Sequence, residues 1–505
     1  MPSFTERHKS KIVGTFSCFD RILMTGILRP INFTDGLSSY LFTHGVRLFK
    51  YMNAFAKPMA EKIRANAERV ASEAGVEIQY ITSKNAFRKE DRVQEIIRKR
   101  GSHPGLVHIF SAQETCPCFE ARYDKANGKA FLIYRDAKCL HYYFYFIDPE
   151  LGLCYLRVPT WVPFRVQFYC NGHNWLANKL RENGIKFSKL DNTFINIEDF
   201  DKAQTISDQF SAEILQPILD RYASMFCPVA AELNIDYWWT LTQLEYATDI
   251  VFKNQSDLAP IYETLVRTAI HSVKPDNVAT FLSHHITYNC EQEVGNDFHT
   301  RVEGTRIKHH MGSASIKMYD KQQIVLRIET TVNDVSFFNH RREVQHRDGT
   351  CEMKVAPVKK TIYSLGVMQE LMASSNRRYL DFISHLDDPS AGLRIVQMIS
   401  QAIRDGDRSW RGFNIFHAED LNLFVALVRG EHNITGFRNS TLRRILKNKT
   451  AQQITCILKR LLLHRLIRRI PHTRKYYLTS FGRKVALTAL KLSQLYVIPA
   501  MANAA

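Results

Sequence analysis

The sequence predicts an α+β protein of several domains, built from mixed and antiparallel sheets, helices and a helical linker. Three observations carry this reading. The chain has 505 residues, and domains usually take about 100–200 each. Its hydrophobic share of 45% is ordinary for a globular protein. Helix-period and strand-period stretches alternate without an internal repeat. They suggest an α/β region at 1–115, an antiparallel sheet with helices at 116–230, an α+β domain at 231–350, a helical linker at 351–410, and a compact basic module at 411–497.

In the first span, Ile22 to Leu28 reads as an apolar strand following Phe19-Asp20-Arg21. Helices are expected at about Asp35 to Lys50 and Asn53 to Ala74, the second closed by Gly75, since glycine readily takes the left-handed turn that ends helices. A strand (Val76 to Ile81), a helix (Lys89 to Arg100, ended by Gly101) and a strand (Leu106 to Ser111) suit an α/β unit. No glycine-rich phosphate loop opens these helices, so nothing argues for a nucleotide cofactor.

From Phe119 to Cys170 aromatic and β-branched residues dominate. Phe131 to Tyr134, Cys139 to Ile147, Cys154 to Val158 and Phe164 to Cys170 should form an antiparallel meander, parted by turns such as Asn127-Gly128. His141, Tyr142, Tyr143, Tyr145 and Trp161, with Arg157 and Arg165, are either a base-stacking surface or the aromatic packing of that sheet. Helices are expected from His173 to Asn183 and from Phe200 to Phe226, the latter stopped at Cys227-Pro228. Beyond lie Tyr237 to Phe252 (strand running into helix), Ala259 to Ser272 (helix), and strands at Arg301 to His310, Ser315 to Asp320 and Ile324 to Val332. Helices at Thr361 to Leu386 and Ala391 to Arg404 lead to a linker at Asp405 to Gly412.

The basic module holds most of the charge. Between His432 and Ala505 there are fifteen Lys and Arg and no Asp or Glu, which leaves only +3 of the chain's +18 for everything before. A field of one sign on a small module suits a polyanion, because cations that neutralise phosphates release condensed counterions. A solvated basic tail would also be charged, but periodicity argues against one. In Ala451 to Leu466, Ile454, Ile457, Leu458 and Leu461 share one helical face, while Gln452, Cys456, Lys459 and Arg460 lie opposite. Thr450 is placed to cap this helix and Ser440 precedes a shorter one. Leu466 to Ile470 and Tyr476 to Thr479 flank a turn as hairpin strands do, and a closing helix starts at Ser480.

Helices, a basic hairpin and a closing helix describe a winged helix. The run LKRLLLHRLIRRIPHTRKYYLTSFGRKV resembles the recognition helix, wing and closing helix of MarR-type DNA-binding domains. The resemblance implies a helix in the major groove of duplex DNA. Gln452, Lys459 and Arg460 would then meet base edges, and Arg468, Arg469, Arg474 and Lys475 phosphates. Winged helices also serve protein assembly, so the fold alone does not fix the partner.

The span 231–350 has carboxylates in strands that should be half buried: Glu245 and Asp249 in QLEYATDI, Asp320 in IKMYDK and Glu329 in LRIETT. Convergent carboxylates can hold a hard cation, and a nearby tyrosine can act as nucleophile. The order Leu244 to Asp249, Tyr319-Asp320-Lys321 and Leu326 to Glu329 resembles the acidic, Y-D-K and L-R-x-E strands of rolling-circle replication initiators of plasmids and filamentous phages. That resemblance implies nicking of single-stranded DNA with Mg2+ or Mn2+. Glu245, Asp249 and Glu329 would be acidic metal positions, Lys321 would orient the phosphate and Tyr319 would attack. The family's His-x-His is absent, and the histidines here occur as adjacent pairs, His284-His285 and His309-His310.

Two function classes stand open on the sequence. One is a replication initiator or transposase-like protein of a mobile element, acting on DNA. The other is a non-enzymatic regulator or scaffold that binds DNA or RNA. No stretch approaches the ~20 apolar residues of a membrane span, and the start lacks the apolar core of a signal peptide, which places the protein in the cytoplasm. Ten dispersed cysteines resemble neither a disulfide framework nor a zinc site, with Cys116-Pro117-Cys118 the only close pair, and are expected to be reduced thiols.

Overall fold

The structure, a computed structural model, describes residues 3–82, 84, 87–284, 298–346, 348–384, 399–471 and 473–497. It is α+β, with two compact units drawn from separated parts of the chain. The first comprises Phe16–Ala247 and Thr331–Leu371, and the second Met1–Thr15, Thr248–Thr330 and Met372–Ala505. Among the described residues no helix is long and apolar enough to cross a membrane.

In the first unit the chain runs through β1 (Ile12–Ile27, entering from the second unit), α1 (Thr34–Thr43), α2 (Lys57–Ala74), β2 (Ile78–Ile81), α3 (Lys89–Arg100), β3 (Gly105–Asp124) and β4 (Lys129–Asp148). It continues with β5 (Gly152–Pro159), β6 (Val166–Cys170), α4 (Gly172–Glu182), the hairpin β7 (Phe187–Leu190) and β8 (Thr193–Ile197), α5 (Phe200–Ser207), α6 (Ala212–Phe226) and β9 (Trp238–Phe252). The strand order is β9-β1-β6-β5-β4-β3-β2. β2 and β3, joined through α3, pair in parallel, as a crossover requires. The neighbours from β3 through β6 to β1 pair antiparallel.

Aromatic rings bind α6 to this sheet. Tyr222 stacks on Phe146 at 3.9 Å and Phe226 on Phe144 at 4.4 Å between ring centroids. Tyr142, Tyr143 and Tyr145 are buried and His141 is fully enclosed, so these rings pack the sheet rather than forming a surface. The expected helix over 200–226 is two helices. Ser211, extended at φ −140° and ψ 170°, breaks it just before α6, and Phe210 is buried at the break.

The second unit takes the end of β9, then α7 (Gln255–Ser272), α8 (Pro275–Phe281), β10 (Phe298–Glu303), β11 (Arg306–Met311), β12 (Ala314–Lys321) and β13 (Val325–Val332), in the order β10-β11-β12-β13-β9. Beside β13, the Phe252 amide donates to the Ile324 carbonyl at 2.8 Å. β9 stays a strand throughout. The single strand expected at 301–310 is a hairpin, because Gly304 takes a left-handed φ of 60° and turns the chain. The first unit then adds a hairpin of β14 (Asn339–Gln345) and β15 (Cys351–Pro357).

A long helix, α9 (Leu365–Ser384), follows. The helix expected over 391–404 falls largely outside the described residues. Its end is β16 (Ile403–Asp405), paired with β17 (Arg408–Trp410) where a linker was expected. The chain closes with α10 (Ala418–Leu427), α11 (Gly430–Thr435), α12 (Asn439–Ile445), α13 (Ala451–Leu463), β18 (Ile467–Arg469), β19 (Tyr476–Leu478) and α14 (Ser480–Lys491). These share an apolar core that includes Phe424, Phe437, Leu442, Ile454, Leu458, Leu461 and Val485.

Charge enters the interior of the second unit's sheet as a full pair. Arg327 donates through Nε and Nη2 to the two oxygens of Asp249, at 2.6 and 2.7 Å, with both side chains essentially without solvent exposure. Removing one partner should strand the other. Arg327→Met should cost about 3–5 kcal/mol, and adding Asp249→Leu should recover most of that loss, as read by urea unfolding.

His309 is a second interior constraint, with Tyr379 Oη 3.1 Å from Nε2 and Thr300 Oγ1 3.0 Å from Nδ1. Burial pushes its pKa down from 6.5 to about 4. The unfolded chain therefore binds the extra proton first. The stability contributed by neutral His309 is complete above pH 6.5 and is lost as pH falls towards about 4. Thermal melting of His309→Gln should show a shallower acid decline than the wild type over that window.

Candidate nucleic-acid interface

The basic module is arranged as a winged helix. Thr450 and Gln453 cap α13 reciprocally, with Gln453 N donating to Thr450 Oγ1 at 3.3 Å and Thr450 N to Gln453 Oε1 at 2.8 Å. This fixes where the helix starts and hence which residues face out. Ile454, Leu458 and Leu461 go to the core, and Gln452, Thr455, Cys456 and Lys459 are exposed. Behind the β18–β19 hairpin, Phe437 and Tyr476 exchange both backbone hydrogen bonds, at 2.9 and 2.8 Å, and add a third strand position. Gly482 lets α14 close on the hairpin's root, since a Cβ there would lie 1.9 Å from the Leu466 carbonyl oxygen.

The cations divide by what they touch. Arg460, expected at base edges, is not on the outer face: it is 8% exposed. Its guanidinium donates to both oxygens of Asp420 at 2.9 and 3.0 Å, and to the carbonyls of Arg411 and Gly412 at 3.1 and 2.7 Å. It also lies 3.7 Å from the centre of the Phe413 ring. The helical wheel puts Arg460 beside the solvent face, but a carboxylate on α10 draws it inward.

Lys459 is at the surface and pairs with Asp405 at 2.8 Å, and Lys449 pairs with Glu419 at 2.9 Å. In the wing, Arg468, Arg469 and Arg474 are exposed and Lys475 is half-buried, with Arg469 Nε donating to the Thr473 carbonyl at 2.9 Å. Arg438, Arg443, Lys447, Arg465, Arg468 and Arg474 are exposed, and among the described residues no carboxylate pairs with them. Gln452, Cys456, Arg444 and Lys447 line an open groove of about 1680 Å3, which Glu419 and Asp420 also line.

The strand tyrosine has a defined setting in the second unit. Lys317, Tyr319 and Lys321 alternate along β12 with the buried Ile316 and Met318. Tyr319 Oη donates to Glu329 Oε2 at 2.7 Å, and Lys317 Nζ donates to Oε1 of the same carboxylate at 2.7 Å. Lys321, half-buried, ends the strand. Asp320 accepts from Thr305 Oγ1 at 2.7 Å.

The acids expected to hold Mg2+ or Mn2+ stand in different settings. Both oxygens of Asp249 are taken by Arg327, a counter-charge its burial demands, and both of Glu329 by Tyr319 and Lys317. Glu245 belongs to the first unit. Its carboxylate lies within 4.8 Å of that of Asp20, which accepts hydrogen bonds from Asn171 and Asn192 at 3.1 and 2.7 Å. His309 is buried against Tyr379, and His285 lies outside the described residues.

No family model, curated protein or solved structure matches this chain. What its residues do therefore has to be read from their own chemistry. Sequence reasoning missed that Cys139 and His141 come beside the Cys116-Pro117-Cys118 pair; the signal was a Cys-x-His on the neighbouring strand. It also missed Asp420 as the partner of Arg460.

The two kinds of cation should separate in stability. Arg460→Ala, which leaves Asp420 buried and unpaired, should cost about 3–5 kcal/mol. Arg474→Ala, on an exposed wing, should change stability by less than about 0.5 kcal/mol. Denaturant unfolding followed by circular dichroism reads both.

Proposed function

We propose that this chain binds nucleic acid, docking its winged helix on duplex DNA, as a replication initiator or transposase-like protein of a mobile element would. The observation that carries the reading is the set of exposed cations without carboxylate partners among the described residues: Arg438, Arg443, Lys447, Arg465, Arg468 and Arg474. Leaving such charges unpaired on one small module costs solubility nothing and gains phosphate attraction. With Arg460 withdrawn, the base-reading candidates are Gln452 and Lys459, joined by Thr455 and Cys456 on the same exposed face. Gln452 can make the bidentate contact to adenine that its amide suits.

A second reading, strand nicking, draws on the Tyr319–Glu329 hydrogen bond. In this reading the Tyr319 oxygen bonds to a backbone phosphorus while its proton passes to Glu329. The P–O3′ bond breaks, and the departing O3′ takes a proton from water. Lys317 and Lys321, on the same strand face, attract the phosphate. Without that activity the protein would be a winged-helix regulator or a DNA- or RNA-binding scaffold.

Fluorescence anisotropy against a labelled duplex at several salt concentrations tests docking. Arg468→Ala and Arg474→Ala should each weaken binding to all sequences and reduce the slope of log K against log salt by about one, whereas Gln452→Ala should alter the preference among sequences. Slopes equal to wild type for both arginine variants would remove the wing from the interface. For nicking, incubation with single-stranded DNA should give a covalent adduct that Tyr319→Phe abolishes. Intact DNA binding with no adduct on any substrate would leave the regulator reading.

A further inference from the structure

The first unit holds a group of soft ligands that the proposed DNA function does not use. On β3, Cys116 and Cys118 alternate onto one face of the sheet, and on β4 Cys139 and His141 do the same. The register sets Cys116 opposite Ala137 and Cys139 opposite Glu114, so the two cysteines are diagonal neighbours across the hairpin. All four side chains are buried, His141 completely.

The sulfurs of Cys116 and Cys118 are 3.6 Å apart, those of Cys116 and Cys139 2.7 Å, and His141 Nδ1 is 3.8 Å and Nε2 4.0 Å from Cys139 Sγ. Zinc–sulfur bonds of about 2.3 Å at tetrahedral angles put sulfurs about 3.8 Å apart, and a sulfur and a nitrogen about 3.5 Å apart. The Cys116–Cys118 and Cys139–His141 separations are close to those values and the Cys116–Cys139 one needs to open by about 1 Å; the ligand atoms of Cys116, Cys139 and His141 lie within 4.8 Å of one another, and Cys118 reaches the group through Cys116. His141 Nδ1 lies 3.1 Å from the Cys139 carbonyl oxygen. A proton held there fixes the tautomer and leaves Nε2 as the nitrogen with a free lone pair.

We propose that Cys116, Cys118, Cys139 and His141 form a structural zinc site at the root of the β3–β4 ribbon. Its position gives it a task. β4 pairs with β5 only from His141 to Asp148, and β3 with β2 only from Ile109 to Ala112. Beyond that point β3 and β4 run on to Asp124 and Lys129 as a two-stranded ribbon that no third strand joins among the described residues. Two-stranded ribbons are marginal alone. A cation bound by three thiolates and an imidazole crosslinks both strands where the wider sheet stops supporting them. The ribbon's outer end exposes Tyr123, Phe131 and Tyr134.

The rival use of these thiols is a Cys116–Cys139 disulfide, for which 2.7 Å is longer than the bond of about 2.05 Å. It would employ two of the donors and leave the Cys118 thiol and the His141 ring buried without a role. Zinc employs all four.

Metal analysis of the full-length protein, loaded with zinc under reducing conditions and desalted, should give one zinc per chain. Cys118→Ser and His141→Ala should each lower the content several-fold, while Cys351→Ser, at an exposed cysteine, should not. Cobalt in place of zinc should give thiolate-to-metal charge-transfer absorption in the wild type, a readout independent of whether the variants fold. Absence of that band in folded wild-type protein, zinc content unchanged by both ligand substitutions, or a Cys116–Cys139 disulfide that persists in place of metal would overturn the proposal.

Discussion

A charge may enter a protein interior only with its counter-charge, and this constraint sorts the ionisable side chains of this chain into those that build it and those left to act. Arg460 shows the rule most clearly. It joins α13 to Asp420 on α10 and to the carbonyls of Arg411 and Gly412, so it holds the module's first helix and its entering chain against α13. Arg327 with Asp249 does the same for strands β13 and β9, and Arg157 with Glu114 for β5 and β3. In a low-dielectric setting each pair adds little net stability, but loss of one member leaves a charge that nothing satisfies.

What remains after this sorting is the surface on which the proposed DNA binding rests. By composition the fifteen C-terminal cations are interchangeable, yet the structure separates them by partner. Lys449, Lys459 and Arg460 answer carboxylates, whereas Arg468 and Arg474 project from the wing without one among the described residues. In the same way Tyr319 is not a generic packing residue, because its hydroxyl and the Lys317 ammonium meet on one nearly enclosed carboxylate, Glu329.

Much of the architecture was legible because the signals were local. Gly75 ends its helix in the left-handed conformation, Thr450 caps its own, and the wing's turn follows from the residues between Ile470 and Tyr476. The failures share a cause. In β9 the run from Ala247 to Phe252 is buried on both faces except at Thr248, so it lacks the apolar–polar alternation by which a strand is told from a helix. The β14–β15 hairpin has a different defect: β14 is polar at every position but Val344, and the apolar Met353 and Val355 of β15 are exposed, so no buried face marks it.

The site residues that escaped notice did so because their neighbours are made by register rather than by spacing. Asp420 lies forty positions before Arg460, and Cys139 meets Cys116 only once β3 and β4 are aligned. The central claim is that the surface left with unanswered cations is the one that meets DNA. Hydrogen exchange of the full-length protein with and without a duplex tests it most directly. The account requires protection concentrated between Arg438 and Lys475, on the recognition helix and the wing; protection confined to other parts of the chain, with that segment unchanged, would contradict it.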